Sequence, residues 1–182
     1  MISNSSVDAR QYPIGSWDNR DTYSSDERAE LIAELRNLPT LYRQATEALT
    51  DEQLARCYRP GSWTVRQLVH HIADTQHWHF YRVKQTLSEP EKTIGIFGNV
   101  NAWAAMPEAR QAPVNPSLLL IDGIHQRWAF LCETLSEADW KRVYYHPFRQ
   151  RDLTLEQALA IGVWHGRHHL AHIGLALEET AP

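Results

Sequence analysis

Cysteine is nearly absent: Cys57 and Cys132 are the only two in 182 residues. They are too few for a disulfide framework and are not spaced as a CxxC metal knuckle. Long hydrophobic runs are missing too. Unbroken apolar stretches, such as Leu118 to Ile121, are only a few residues long and fall far short of the roughly 18 residues a membrane-spanning helix needs. The stretch Met1 to Arg20 has no apolar leader core and carries Asp8 and Asp18, so a cytoplasmic location is expected. Positive charge is not in excess. Against 18 Lys and Arg stand 22 Asp and Glu, the formal net charge is −4, and both signs are spread along the chain, which excludes the basic footprint of a nucleic-acid binder. There is no internal repeat, no low-complexity tract and no β-periodic run of convincing length. The length of 182 residues suits a single domain, 1–182, with one core and an irregular arm over 1–23.

What is present is helical periodicity with explicit start signals. A Ser or Thr whose hydroxyl caps the backbone N–H three residues on, reciprocated by Glu or Gln there, marks a helix N-terminus. Ser24 with Glu27 opens the first long helix, expected to reach about Leu49 with a break at Leu38–Pro39. Thr50 with Gln53 opens a short turn. Thr64 with Gln67 opens the second long helix, about Val65 to Leu87. A stretch bearing Gly, Pro and Asn, from Ser88 to Asn115, interrupts the pattern, with one helical candidate at Asn101 to Ala105; it is too long for an ordinary bundle loop and reads as a packed crossover or a lid. Pro116 suits the first turn of the third long helix, to about Leu135. Tyr144 to Asp152 reads as extended or irregular, since His146 precedes Pro147. Thr154 with Gln157 opens the fourth, to about Glu179. The fold expected is all-α: a four-helix bundle with a long connection between its second and third helices.

Two residue types are conspicuous, ten His and seven Trp, and four of the histidines fall between His165 and His172. On the fourth helix, with His165 at 0°, His169 lies at about +40°, His172 at about −20° and His168 at about −60°. Ala158, Ile161 and Ala176 share that face, so His165, His169 and His172 should look into the bundle. Inward imidazoles need partners, since an unsatisfied buried polar group costs about 1–3 kcal/mol, and one metal ion satisfies several at once. His165 and His169 are one turn apart, which lets both converge on an ion; His168 and His172 share that spacing, but the small-residue face centres on the first pair. A further ligand must come from another helix, and the second helix offers His70, His71, His77 and His79. Its apolar face centres about +120° from His71, which demotes His70 and His77 and leans to His79 over His71. Three neutral imidazoles without thiolate leave a position open for water or substrate, the pattern of catalytic zinc. The HExxH motif is excluded because Gly166 stands where Glu would. Cys132, beside Phe130 and Leu131, reads as core.

These segments together resemble a known family. Tyr12-Pro-Ile-Gly15, Trp63-Thr-Val-Arg-Gln-Leu-Val-His-His-Ile-Ala-Asp74, Trp103-Ala, Tyr145-His-Pro147 and Val163-Trp-His-Gly-Arg-His-His-Leu-Ala-His-Ile173 are similar, in order and over nearly the whole chain, to the YfiT-like metal-dependent hydrolases of the DinB superfamily. The resemblance implies a four-helix bundle holding one divalent ion, zinc or nickel, through one histidine of the second helix and two of the fourth. By motif these are His71, His165 and His169. It also implies a homodimer, and relatives that transfer low-molecular-weight thiols such as bacillithiol or isomerise substrates with a thiol. The segment Thr75-Gln-His-Trp-His-Phe80 is bulkier and richer in His than the family pattern, and Trp78 should stand near the metal pocket.

Asp74, one turn past His71, is a candidate to orient an imidazole or to act as base. Arg82, at about +20° from His71, is a candidate to bind an anionic substrate group. Trp103, in the long connection, is the tryptophan expected to line the pocket. The function expected is therefore a metal-dependent enzyme that activates a thiol or water for S-transfer to an electrophilic small molecule or for hydrolysis. Its partners are a small-molecule substrate and a low-molecular-weight thiol, with no nucleic acid and no membrane. The competing reading is a non-enzymatic bundle whose ion is structural, buffered or sensed.

Overall fold

All four capping boxes form as expected, at Ser24, Thr50, Thr64 and Thr154, each with the side chain taking the third backbone N–H and the reciprocal Glu or Gln closing the box. The structure, a computed structural model, describes residues 9–178; Asp8 and the expected helix end at Glu179 lie outside them. A 3₁₀ turn, Ala9–Gln11, precedes α1 (Ser25–Thr46), α2 (Asp51–Leu54), α3 (Val65–Ser88), β1 (Thr93–Ile94), α4 (Val100–Ala104), α5 (Pro107–Gln111), α6 (Asn115–Glu133), α7 (Glu137–Trp140), β2 (Val143–His146), β3 (Arg151–Thr154) and α8 (Leu155–Leu177).

The long helices α1, α3, α6 and α8 make the bundle. Both α1 and α3 pack on α6 and on α8, so α1 stands opposite α3. The apolar core falls into two clusters. One surrounds Trp128 with Leu35, Leu155 and Leu159; the other joins Leu38, Tyr42, Leu68, Ile72 and Ile173. Along α3 and α8 the residues between the clusters are polar: Gln76 and His79 on one, His165 and His169 on the other. Side chains of α1 and α6 press directly on the α8 backbone here. A Cβ on Gly166 would stand 2.7 Å from Leu38 Cδ1, and one on Gly162 would stand 2.3 Å from Trp128 Cη2.

One expectation needs correction. The first helix runs unbroken through Pro39. Proline removes the N–H that the Leu35 carbonyl would take, and His125 Nδ1 of α6 donates to that oxygen instead, at 2.9 Å. Of the two readings of 144–152, the extended one holds: β2 and β3 pair antiparallel, Tyr144 opposite Leu153 and Tyr145 opposite Asp152, and β1 adds to β2 in parallel. Four-residue strands are too short to register as periodicity, yet β2 alternates buried and half-buried residues as a one-sided strand does. The connection 88–115 is a packed crossover. Its α4 and α5 lie against α3, with Ala104 and Ala109 buried, and α5 was not legible beforehand. No described helix is long and apolar enough to cross a membrane.

Candidate metal centre

His71 on α3 and His165 and His169 on α8 converge, with one nitrogen of each ring inside a 4.8 Å cluster. The rings meet edge to face: His71 and His169 at 4.8 Å and 79°, His165 and His169 at 4.7 Å and 89°. His71 Nε2 lies 3.3 Å from His165 Nε2. Two nitrogens each about 2.0–2.1 Å from one tetrahedral ion are about 3.3 Å apart, so this contact has the length of a tetrahedral edge. Burial holds the rings neutral, as ligation requires. It pushes His71 down to about 3 and His165 and His169 well below the usual histidine range, with mutual repulsion among the imidazoles adding to the effect.

The tautomer of His169 follows from a relay. His172 Nε2 faces the Arg10 carbonyl oxygen at 3.1 Å, which can only accept, so that nitrogen carries the proton and Nδ1 is bare. His169 Nδ1, 3.2 Å from His172 Nδ1, must then donate, leaving His169 Nε2 with its lone pair free. His172 also stacks on Tyr58, with centroids 3.9 Å apart. A second cluster, His168, His169 and His172, shares His169 with the first. The ring nitrogens His79 Nδ1, His165 Nδ1 and His168 Nδ1 are buried with no partner among the described residues; they are not the nitrogens that would face the ion, since His165 turns Nε2 toward His71. The donor set and its spacing fit a divalent ion.

These histidines line one cavity of about 690 Å³. Trp63 covers His71 and His169, with centroid distances of 4.6 and 6.3 Å. The Tyr12–Gly15 turn, closed by Gly15 N–H on Tyr12 O at 3.0 Å with Gly15 at φ 77°, lands on α8 through Trp164 Nε1 and Gly15 O. It sets Tyr12 5.8 Å from the His168 ring.

The remaining candidates divide. His71, not His79, joins the cluster, although His79 lines the same cavity 5.8 Å from His165. The buried face of α3 is wide and holds both His71 and His79, so its apolar moment does not report which flank meets α8. His70 is held by Ser117 Oγ and Ala112 O, and His77 is exposed. Asp74 is not brought to the cavity. Its flank of α3 faces α5, where burial and Glu108 raise its carboxyl above the usual range. Arg82 lines the cavity, but its Nε and Nη2 both bond Ile96 O. Trp103 does not line it; it props Trp78, which does, at 4.5 Å and 60°. Trp63 and Trp164 are walls, while Trp128 is core. His146 and Arg149, on β2 and the following turn, complete the wall. Sequence reasoning passed over Arg149, and no local signal marks it. Cys132 is buried, its thiol pushed up to about 12 by burial.

The family model described as the DinB superfamily matches residues 34–173. A Bacillus subtilis (strain 168) protein called "Putative metal-dependent hydrolase YfiT" is 40% identical over 162 residues, covering 89% of this chain and 90% of that one. A Geobacillus thermodenitrificans (strain NG80-2) protein called "Putative metal-dependent hydrolase" is 40% identical over 169 residues, covering 93% and 94%. A solved structure, described as YfiT from Bacillus subtilis, "a probable metal-dependent hydrolase with an unusual four-helix bundle topology", superposes with a TM-score of 0.88 at 38% identity, covering 91% of this chain and 94% of that one.

Proposed function

This chain belongs to the DinB superfamily, and from that premise we propose that it is a metal-dependent enzyme in which His71, His165 and His169 hold one divalent ion, zinc or nickel, in the wall of the cavity. The observation that carries the reading is the 3.3 Å approach of His71 Nε2 to His165 Nε2 beside a third neutral imidazole. Imidazole suits either metal. Such an ion, bound by three neutral ligands with a position open, supplies Lewis acidity that lowers the pKa of a water or thiol there.

The rest of the chemistry is the protein's own. Trp63, tilted over His71 and stacked on His169, limits water on one side, and the His172 relay holds His169 Nε2 unprotonated. The cavity gives room for a small molecule beside the three rings, which a purely structural ion, closed by a fourth protein ligand, does not need. The reaction is S-transfer. A low-molecular-weight thiol forms a bond from sulfur to an electrophilic carbon as the bond to the leaving group breaks, and the thiol proton departs with that group. Hydrolysis, with water in the place of the thiol, is the second reading, favoured by the names that the relatives carry.

Elemental analysis of untagged protein purified without chelator tests the centre. About one ion per chain, lost in His71→Ala and His165→Ala with circular dichroism unchanged, supports it and sends the holoprotein to screens of thiol acceptors and of hydrolysable esters and amides. No metal after zinc and nickel are offered overturns it. An ion whose removal unfolds the chain, with no activity in either screen, gives the case to the structural reading.

A further inference from the structure

The cavity is one-sided in charge. Arg59, Arg82 and Arg149 line it, and among the described residues no Asp or Glu does. Arg20, Arg28, Arg36, Arg43, Arg66 and Arg167 each hold a carboxylate; these three, like Arg56, Arg110, Arg127, Arg142 and Arg151 outside the cavity, hold none among the described residues. They are not equivalent. Arg82 is occupied with Ile96 O and turns only Nη1 inward, 3.4 Å from His146 Nε2. Arg59 lies against Tyr58 with its Nε buried and unpartnered, towards the His172 end. Arg149 is half-buried on the β2–β3 turn, its guanidinium 4.6 Å over the Trp17 ring, with no acceptor for its N–H groups among the described residues. It lines the same cavity as His146, His79 and His165, reaching it from the β2–β3 side.

Desolvated positive charge without a counter-charge is unfavourable, and a divalent ion beside it would increase the imbalance. A guest with negative charge removes it. The guanidinium fork matches an oxyanion with two parallel bonds. Next to Arg149, Phe148 stacks on Phe97 at 5.4 Å and 22°, and Phe97 meets Trp78 at 6.4 Å. Phe97 and Phe148 are largely exposed at the mouth, an apolar shelf beside the charge.

We propose that Arg149 is a specificity-determining residue: it anchors an oxyanion, carboxylate or phosphate, of a small molecule whose apolar body lies on Trp78, Phe97 and Phe148, so that the cavity selects acidic over neutral substrates. This rests on reading the cavity as the substrate site of the three-histidine centre, but Arg149 binds the anion whether or not the ion is present.

The test titrates the full chain, metal-loaded and chelator-treated, with 3-phenylpropionate, its neutral amide and phenyl phosphate, followed by tryptophan fluorescence. The expected result is that an acid binds in both metal states, that the amide binds at least tenfold more weakly, and that Arg149→Gln weakens the acid at least tenfold while leaving the amide unchanged. Arg149→Lys should lie between, and Arg151→Gln, outside the cavity, should bind as wild type. The stronger of the two acids identifies the oxyanion. Equal binding of acid and amide overturns the proposal, as does acid binding unchanged in Arg149→Gln. So does acid binding confined to the metal-loaded protein and abolished in His165→Ala, which would place the acid on the ion. Arg149-dependent acid binding in a chain that takes up no metal would overturn the metal reading and leave this one standing.

Discussion

His125 Nδ1 stands 2.9 Å from the carbonyl oxygen of Leu35, ninety positions earlier in the chain, and that oxygen is the one Pro39 has no N–H to bond. A buried imidazole on α6 thus replaces the missing rung in α1. His125→Leu should cost about 1–3 kcal/mol, the penalty of an orphaned buried carbonyl. In a Pro39→Ala background, where the rung is restored, the same change should cost less, with a coupling of about 1 kcal/mol. Urea midpoints of the four proteins measure it; strictly additive effects would sink the account.

The same histidine predicts an acid slope. Burial holds His125 down to about 4, against about 6.5 in an unfolded chain. Above pH 6.5 both states are neutral there and the contribution is complete. Between pH 6.5 and 4 only the unfolded chain binds the proton, so stability falls as pH falls, by up to about 1.4 kcal/mol per pH unit for one such group. His125→Leu should therefore show a shallower loss of stability near pH 5, by about one proton. Denaturant melts at several pH values read that slope, and an unchanged slope would count against the buried neutral state.

His172 acts on the metal centre through His169. His172→Phe keeps a ring against Tyr58 but removes the Nδ1 acceptor, and zinc affinity should drop about 10–100-fold, the usual effect of losing such a supporting bond. His172→Asn, whose amide oxygen can accept in place of Nδ1, should recover most of it. Competition with a chromophoric chelator distinguishes this from loose packing, which Asn would not rescue.

The α8 glycines should respond oppositely to alanine. Gly162→Ala drives a methyl into Trp128, 2.3 Å from Cη2, and should destabilise by about 1–3 kcal/mol through overpacking. At Gly174 no atom lies within 4 Å of a new Cβ, and alanine should stabilise by about 0.5–1 kcal/mol by restricting the unfolded chain. Thermal melts with matching signs would exclude the close approach at Gly162.

What the sequence determined by itself is local. A capping box closes within four consecutive residues, so Ser24, Thr50, Thr64 and Thr154 announce their helices without reference to the rest of the chain. The pairing of His165 with His169 is likewise one helical turn, readable from spacing, as is the inward face they share with Ala158 and Ala176.

What only the tertiary structure decided is distant. His71 meets His165 across 94 positions, and whether His71 or His79 turns toward α8 depends on how α3 is rotated in the bundle. That angle is set by the packing of all its buried residues, and a buried face wide enough to hold both His71 and His79 does not reveal from its direction alone which of them meets α8. The survival of α1 through Pro39 rests on a side chain of α6, and Arg149 reaches the cavity only because the β2–β3 hairpin folds against it. Local hydrogen bonds are written in neighbouring residues. Which faces meet is a property of the whole core.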